Sequence, residues 1–176
     1  WPGIVTSVEE YDGSSWSEVN NNTTGRESGS GAGTQTAGLI FGGDPDNDAT
    51  EEYDGTNWTN GGNLNTGRIH QGGCGIQTAA LSLGGYASSA KTGATEEYGG
   101  TSWTTNPNSL NAPRYGVRGT GIQTAALAIG GNANPPNASV GNTEEYDGSS
   151  WTASGALVTA RQDGGAAGTQ TNAIYF

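Results

Sequence analysis

Adjacent carboxylates recur four times in the chain, as Glu9–Glu10, Glu51–Glu52, Glu96–Glu97 and Glu144–Glu145, each pair followed directly by a tyrosine. Two carboxylates within hydrogen-bond reach of one substrate atom can divide general acid and general base work. Neighbours on a strand point to opposite faces, however, so an adjacent pair cannot converge on one atom. The expectation is structural: one Glu of each pair meets a donor such as a nearby Arg, and the other is solvated. His70 and Cys74 in HQGGC are the only His and Cys. A metal site needs three or four ligands, and a His–Cys nucleophile pair has no evident orienting partner here. Asp44, Asp46 and Asp48, with Asn47 between them, space three carboxylates by two, which suits a hard cation with oxygen ligands. The segment lacks the Gly and the distant Glu of an EF-hand loop and occurs once, so a solvated acidic turn is the plainer reading. No catalytic residue and no cofactor is expected.

The carboxylate pairs belong to a longer repeat. Tyr11, Tyr53, Tyr98 and Tyr146 are 42, 45 and 48 residues apart, and five positions after each comes Trp16, Trp58, Trp103 or Trp151. Ten or eleven residues further on stands Arg26, Arg68, Arg114 or Arg161, and seven after each Arg begins a GTQT or GIQT phrase. Apolar runs ending in Gly42–Gly43, Gly84–Gly85 and Gly130–Gly131 follow, and the last unit stops at NAIYF. Periods of this length mark propellers, solenoids or arrays. Arg to the Gly pair is a constant 16 residues, whereas the Gly pair to Tyr takes 10, 13 and 15. One loop therefore absorbs the length variation, as expected of a scaffold with one variable edge.

Within each unit the pattern is β. Leu81 and Leu83 flank Ser82, and Leu127 and Ile129 flank Ala128, which is period two. Asp-Gly between the EEY and Trp segments signals a hairpin. Glycine, at 32 positions, is too frequent for helices. Each unit reads as four short antiparallel strands, which describes a propeller blade. The first strand is Gly-rich (ESGSGAG, QGGCG, VRGTG, DGGAAG), as crowding around a small central axis would require.

The Gly pair closing an apolar strand, then Tyr, then Trp, then Arg before the next inner strand resembles the Kelch repeat, over essentially the whole chain. The TEEYDG and GTQTAAL phrasing is also similar to repeat arrays in phage and environmental bacterial proteins. The resemblance implies a β-propeller whose Gly pairs, Tyr and Trp pack within and between blades. A copper oxidase of the Kelch type would need several His ligands, which are lacking. The expected fold is all-β: one four-bladed propeller domain over 1–176, with units at about 1–25 plus 161–176, 26–67, 68–113 and 114–160. The C-terminal strand pair (Arg161 to Phe176) would complete the blade begun by Ser7 to Trp16, hiding edge strands. The rival pairs these termini with a neighbouring chain, as a homo-oligomer or part of a larger assembly.

Six Lys and Arg against 17 Asp and Glu, net charge −11, argue against nucleic-acid partners, whose affinity comes from cationic contacts. No apolar run approaches the roughly 20 residues of a membrane helix. Five Trp, seven Tyr and regular apolar runs argue against disorder. The lack of Met leads to the expectation that Trp1 follows a cleavage, a tag or further chain. The functional expectation is a non-catalytic structural or recognition module, on a virion or extracellular surface. It would bind a protein or glycan surface through the variable loops, which carry Asp44, Asp46, Asn47, Asp48, Tyr86, Lys91, Asn132, Asn134 and Asn137. Alternatives are a sugar-binding lectin with a shallow site in each blade, and an enzyme in which Asp44, His70 and Asp163 converge.

Overall fold

The computed structural model describes residues 4–44, 48–135 and 137–176, and no helix occurs among them. β1 (Val8–Tyr11) and β2 (Trp16–Val19) form a hairpin. β3 (Ser30–Thr34), β4 (Ala37–Phe41), β5 (Thr50–Tyr53) and β6 (Trp58–Asn60) make a four-stranded antiparallel sheet in that order. The next sheet runs β7 (Gly72–Ile76), β8 (Ala79–Leu83), then β11 (Thr95–Tyr98) and β12 (Trp103–Asn106). Between β8 and β11 the chain projects a small hairpin, β9 (Tyr86–Ala87) and β10 (Ala90–Lys91). β13 (Arg114–Tyr115) leads into a third sheet of β14 (Arg118–Ile122), β15 (Ala125–Ile129), β18 (Thr143–Tyr146) and β19 (Trp151–Ser154). β16 (Asn132–Ala133) and β17 (Ala138–Ser139) join β13 in a three-stranded ribbon. The last strands form a further hairpin, β20 (Ala166–Gly168) and β21 (Ala173–Tyr175).

Local chemistry explains the strand boundaries. Asp54 Oδ1 accepts from the Thr56 and Asn57 amides at 2.8 and 2.7 Å, and Gly55 takes a φ of +90°. That Asx-type turn stops β5 and lays Trp58 beside Tyr53, with ring centroids 4.9 Å apart. Asp12 and Asp147 repeat the device with Ser14–Ser15 and Ser149–Ser150. Those hydrogen bonds hold both carboxyls down at about 2.

The Gly-rich first strands lie side by side. A Cβ on Gly73 would stand 2.6 Å from the Ser30 hydroxyl and 3.0 Å from the Gly31 carbonyl, and one on Gly119 would stand 3.0 Å from the Gly73 carbonyl. Only glycine permits so close an approach of neighbouring backbones. A backbone relay runs beside it: His70 N–H donates to Ser28 O, Gly116 N–H to His70 O, and Asp163 N–H to Gly116 O, at 2.8–2.9 Å. All four of these residues have φ between 53° and 64°. The repeat thus requires the left-handed region at the second position after each Arg.

The core lies between sheets. Leu39, Phe41, Leu64, Ala80, Tyr98 and Trp103 fill the first gap, while Cys74, Leu81, Leu83, Leu110, Val117 and Trp151 help to fill the second. The TEEY strands join the sheets through both faces. On one face Thr50 Oγ1 accepts the Trp103 indole N–H at 2.9 Å, and Glu52 accepts the Tyr98 hydroxyl of the next sheet. On the other face Tyr53 donates back to Glu10 at 2.7 Å, while Glu51 pairs with Arg26 at 2.6 Å and accepts from Thr23 N–H at 2.6 Å. Thr95, Glu96 and Glu97 repeat the set with Trp151, Arg68 and Tyr146. Glu144 closes on Arg114. The second Glu of the first three pairs, Glu10, Glu52 and Glu97, is therefore the anchor of the next unit's Tyr, in place of the solvated group expected above. Burial would raise the Glu51 carboxyl, but hydrogen bonds from Thr23 and the Arg26 guanidinium outweigh it and leave it below its ordinary value.

Repeat register also accounts for exceptions. Trp58 Nε1–H is buried without a partner, because the position matching Thr50 and Thr95 in the preceding unit is Val8. At the ends the pattern is incomplete: Trp16 is 66% exposed and Phe176 68%, against 4% for Trp103.

The Glu10 hydrogen bond pushes the Tyr53 phenol up to about 12. Tyr98 and Tyr146 are raised first by burial and then by their bonds to Glu52 and Glu97. A phenol raised on folding stabilises fully below its unfolded pKa, near 10, and that contribution is lost as pH climbs through the folded value. Denaturation across the alkaline range should show stability falling from pH 10 to 12, and Tyr53→Phe should shallow the fall. A wild-type profile flat over that interval contradicts the Tyr–Glu bonds.

Candidate functional site

Two neighbouring units build a cleft from their variable loops. In the β9–β10 hairpin, Ser88 and Ser89 both take positive φ, 47° and 66°, the backbone of a tight two-residue turn that matches strand twist. The Tyr86 hydroxyl caps it by donating to Ser89 O at 2.9 Å. Backbone bonds between Ile69 and Tyr86 tie the hairpin to the segment after Arg68. One unit on, Tyr115 pairs with Asn132 at the corresponding positions.

Lys91 bridges the two loops. Its ammonium donates to Asn132 Oδ1 at 2.6 Å, Ala133 O at 2.9 Å and Asn137 Oδ1 at 2.7 Å. It also lies 5.4 Å from the centre of the Tyr115 ring, within cation–π range. Tyr86 meets that ring edge-on at 6.1 Å and His70 packs at 5.8 Å. His70, Tyr86, Lys91, Tyr115 and Asn137, with Ile69, Ser89, Ala90, Pro113 and Asn134, line a cleft of about 830 Å³, within the usual range of small-molecule sites.

One wall continues to the segment after Arg161. His70 Nδ1 stands 3.6 Å from Asp163 Oδ1, and Arg118 Nη2 stands 3.8 Å from the same oxygen. Gln162 donates to Asp163 at 2.9 Å and accepts from Asn132 Nδ2 at 2.7 Å. Both His70 and Asp163 are partly exposed. Cys74 sits in the core between sheets, its thiol pushed up to about 12 by burial. A thiol so raised is protonated at neutral pH and a poor nucleophile.

Of the loop residues picked from sequence, Tyr86, Lys91, Asn132, Asn134 and Asn137 thus lie at or around one cleft. Asp44 lies on the first unit's loop, in backbone pairing with Glu27, and the Asp48 carbonyl accepts from Leu64 N–H. Asp46 and Asn47 fall outside the described residues. Among the described residues no three His, Cys, Asp or Glu side chains gather as metal ligands. Tyr115, Pro113 and Ser89 were not anticipated. The constant Arg-to-Gly-pair spacing held the clue for Tyr115, since it pairs the residue after each Arg with the residue after each Gly pair.

No family model matches the chain, and no curated protein matches it. No helix among the described residues is long and apolar enough to cross a membrane.

Proposed function

We infer that the chain is a non-catalytic recognition module, taking part of a protein or glycan surface into the cleft between the β9–β10 hairpin and strands β16 and β17. The observation that carries this is Lys91. One side chain satisfies three acceptors on the neighbouring unit's loop, which holds two length-variable segments in one preformed shape. Preformed, concave, aromatic-walled sites with a few fixed polar groups are what ligand binding uses. The acidic surface and scarcity of lysine suit an extracellular or virion setting. The test is a paired screen of an oligosaccharide array and a displayed peptide library against the wild-type chain and Tyr115→Ala. Ligands that bind the first and lose at least about tenfold on the second support the reading, tenfold being 1.4 kcal/mol. Ligands indifferent to the substitution, or none in either library, contradict it.

The scaffold we propose for this module is a four-bladed, Kelch-like ring in which β20–β21 and β1–β2 are two halves of one blade. The unused groups at the two ends are complementary under the repeat's own rules. Trp16 would donate to Thr143 and Tyr11 to Glu145. Arg161 would pair with Glu9, which now faces Glu18 across the hairpin. Gln77, Gln123 and Gln170 each donate to two carbonyls, one on each of two paired strands. Gln35 reaches Tyr11 O alone, and its missing second acceptor is Ala173 O. The β4–β5 register, Phe41 opposite Thr50, sets Phe176 opposite Val8. Val8→Cys with Phe176→Cys, in a Cys74→Ser background, should oxidise to a cross-linked monomer that migrates faster on denaturing gels. Cross-linked dimers and ladders would instead place the joint between chains and overturn closure within one chain.

A further inference from the structure

The lining of the cleft is specific enough to name a ligand class. An ammonium can accept nothing, so wherever Lys91 meets a carboxamide it must meet the oxygen. That fixes the Asn137 amide with its Oδ1 on Lys91 and leaves its Nδ2–H₂ as the end able to reach a ligand. Asn132 is held the same way, Oδ1 on Lys91 and Nδ2 on Gln162, and so acts as a support. Tyr86 and Tyr115 stand nearly perpendicular, at 84°, giving two apolar walls that meet at a corner. The site therefore combines aromatic surface with amide donors and a positive charge, and none of the described residues lining it carries a carboxylate.

Charge supplies the second half of the argument. Arg26, Arg68 and Arg114 each close on a glutamate, and Arg118 faces Asp163. Lys91 has no carboxylate within 4 Å among the described residues. In a chain with net charge −11, carboxylates are abundant, yet this cation is held by neutral oxygens alone. A half-buried cation of that kind favours an anion brought by a ligand, in a cleft where screening is weaker than in open water. The flat C–H face of a pyranose suits an aromatic wall, and its hydroxyls suit the carboxamides. A ring carboxylate would complement the Lys91 charge rather than take a hydrogen bond from it, the three ammonium donors being already used.

We propose that this cleft binds a saccharide residue bearing a carboxylate, of the uronic acid type. The proposal rests on the recognition reading above and narrows it. The test is titration of isotope-labelled protein with methyl β-glucuronide and, separately, methyl β-glucoside, following the amides of residues 86–91, 132–134 and 137. Expected is saturable perturbation of these amides by the glucuronide, with affinity roughly fivefold or more above the glucoside. That margin should shrink in high salt. Lys91→Met should abolish the margin, and Tyr115→Leu, which keeps the ammonium, should weaken both sugars. Equal affinity for the two glycosides overturns the assigned charge preference while leaving recognition intact. If neither glycoside perturbs the cleft but a peptide from the display library does, the saccharide class is wrong and the recognition reading stands. If glycosides and peptides alike leave these amides unmoved, both fall.

Discussion

Adjacent residues on a β-strand face opposite ways, and the molecule puts a carboxylate on each side of the same strand. Glu51 turns back to Arg26 and the Thr23 amide, while Glu52 turns forward to the Tyr98 hydroxyl of the next sheet. Thr50 and Tyr53 sit two residues from Glu52 and Glu51 respectively and share their faces, so the four residues of β5 make contacts in both directions. With apolar residues only 31% of the chain, hydrophobic burial alone is a thin source of stability. Charge-assisted hydrogen bonds are the stronger class of polar contact, and each internal TEEY strand makes several.

The cost of burying ionised groups explains why each of these ion pairs carries further hydrogen bonds. Arg68 and Glu96 are both fully buried, and the desolvation of such a pair is recovered only when further hydrogen bonds satisfy the remaining valences. Arg68 also donates to the Ala94 carbonyl at 2.8 Å, and Glu96 accepts the Asn65 amide at 2.7 Å. The Arg68 Nε remains without a protein partner. The same arithmetic bears on the terminal units, where Glu9, Tyr11 and Trp16 are more exposed than their counterparts and the network stops.

Much of this architecture was legible because it repeats. The four-stranded sheets, hairpin turns and the invariant Tyr–Trp step follow from period, and the Arg–Glu pairing was anticipated from charge, whereas the short strands β9, β10, β13, β16 and β17 were not read. The partner of the second Glu was missed because solvation is the usual fate of every other residue on a half-buried strand. Finding it needs the distance between neighbouring sheets, which no spacing within one unit reports. The closeness of His70 to Asp163 was hidden likewise: they stand 93 positions apart in sequence and meet through three left-handed turns. The cleft was half-visible. Its loops were marked by length variation, but Lys91 reaching Asn137 depends on how two irregular loops lean, and their sequences share no pattern.

The relation between units is the claim on which scaffold and cleft both depend, since the cleft spans two of them. A double-mutant cycle isolates it: Glu52→Ala, Tyr98→Phe and the pair, each unfolded by denaturant at neutral pH. The Glu52 carboxylate and Tyr98 hydroxyl belong to different sheets, so their coupling reports the joint directly. A coupling energy of about 1.5–3 kcal/mol is expected for a hydrogen bond to a charged group. Additive effects, with coupling within about 0.3 kcal/mol of zero, would contradict the account.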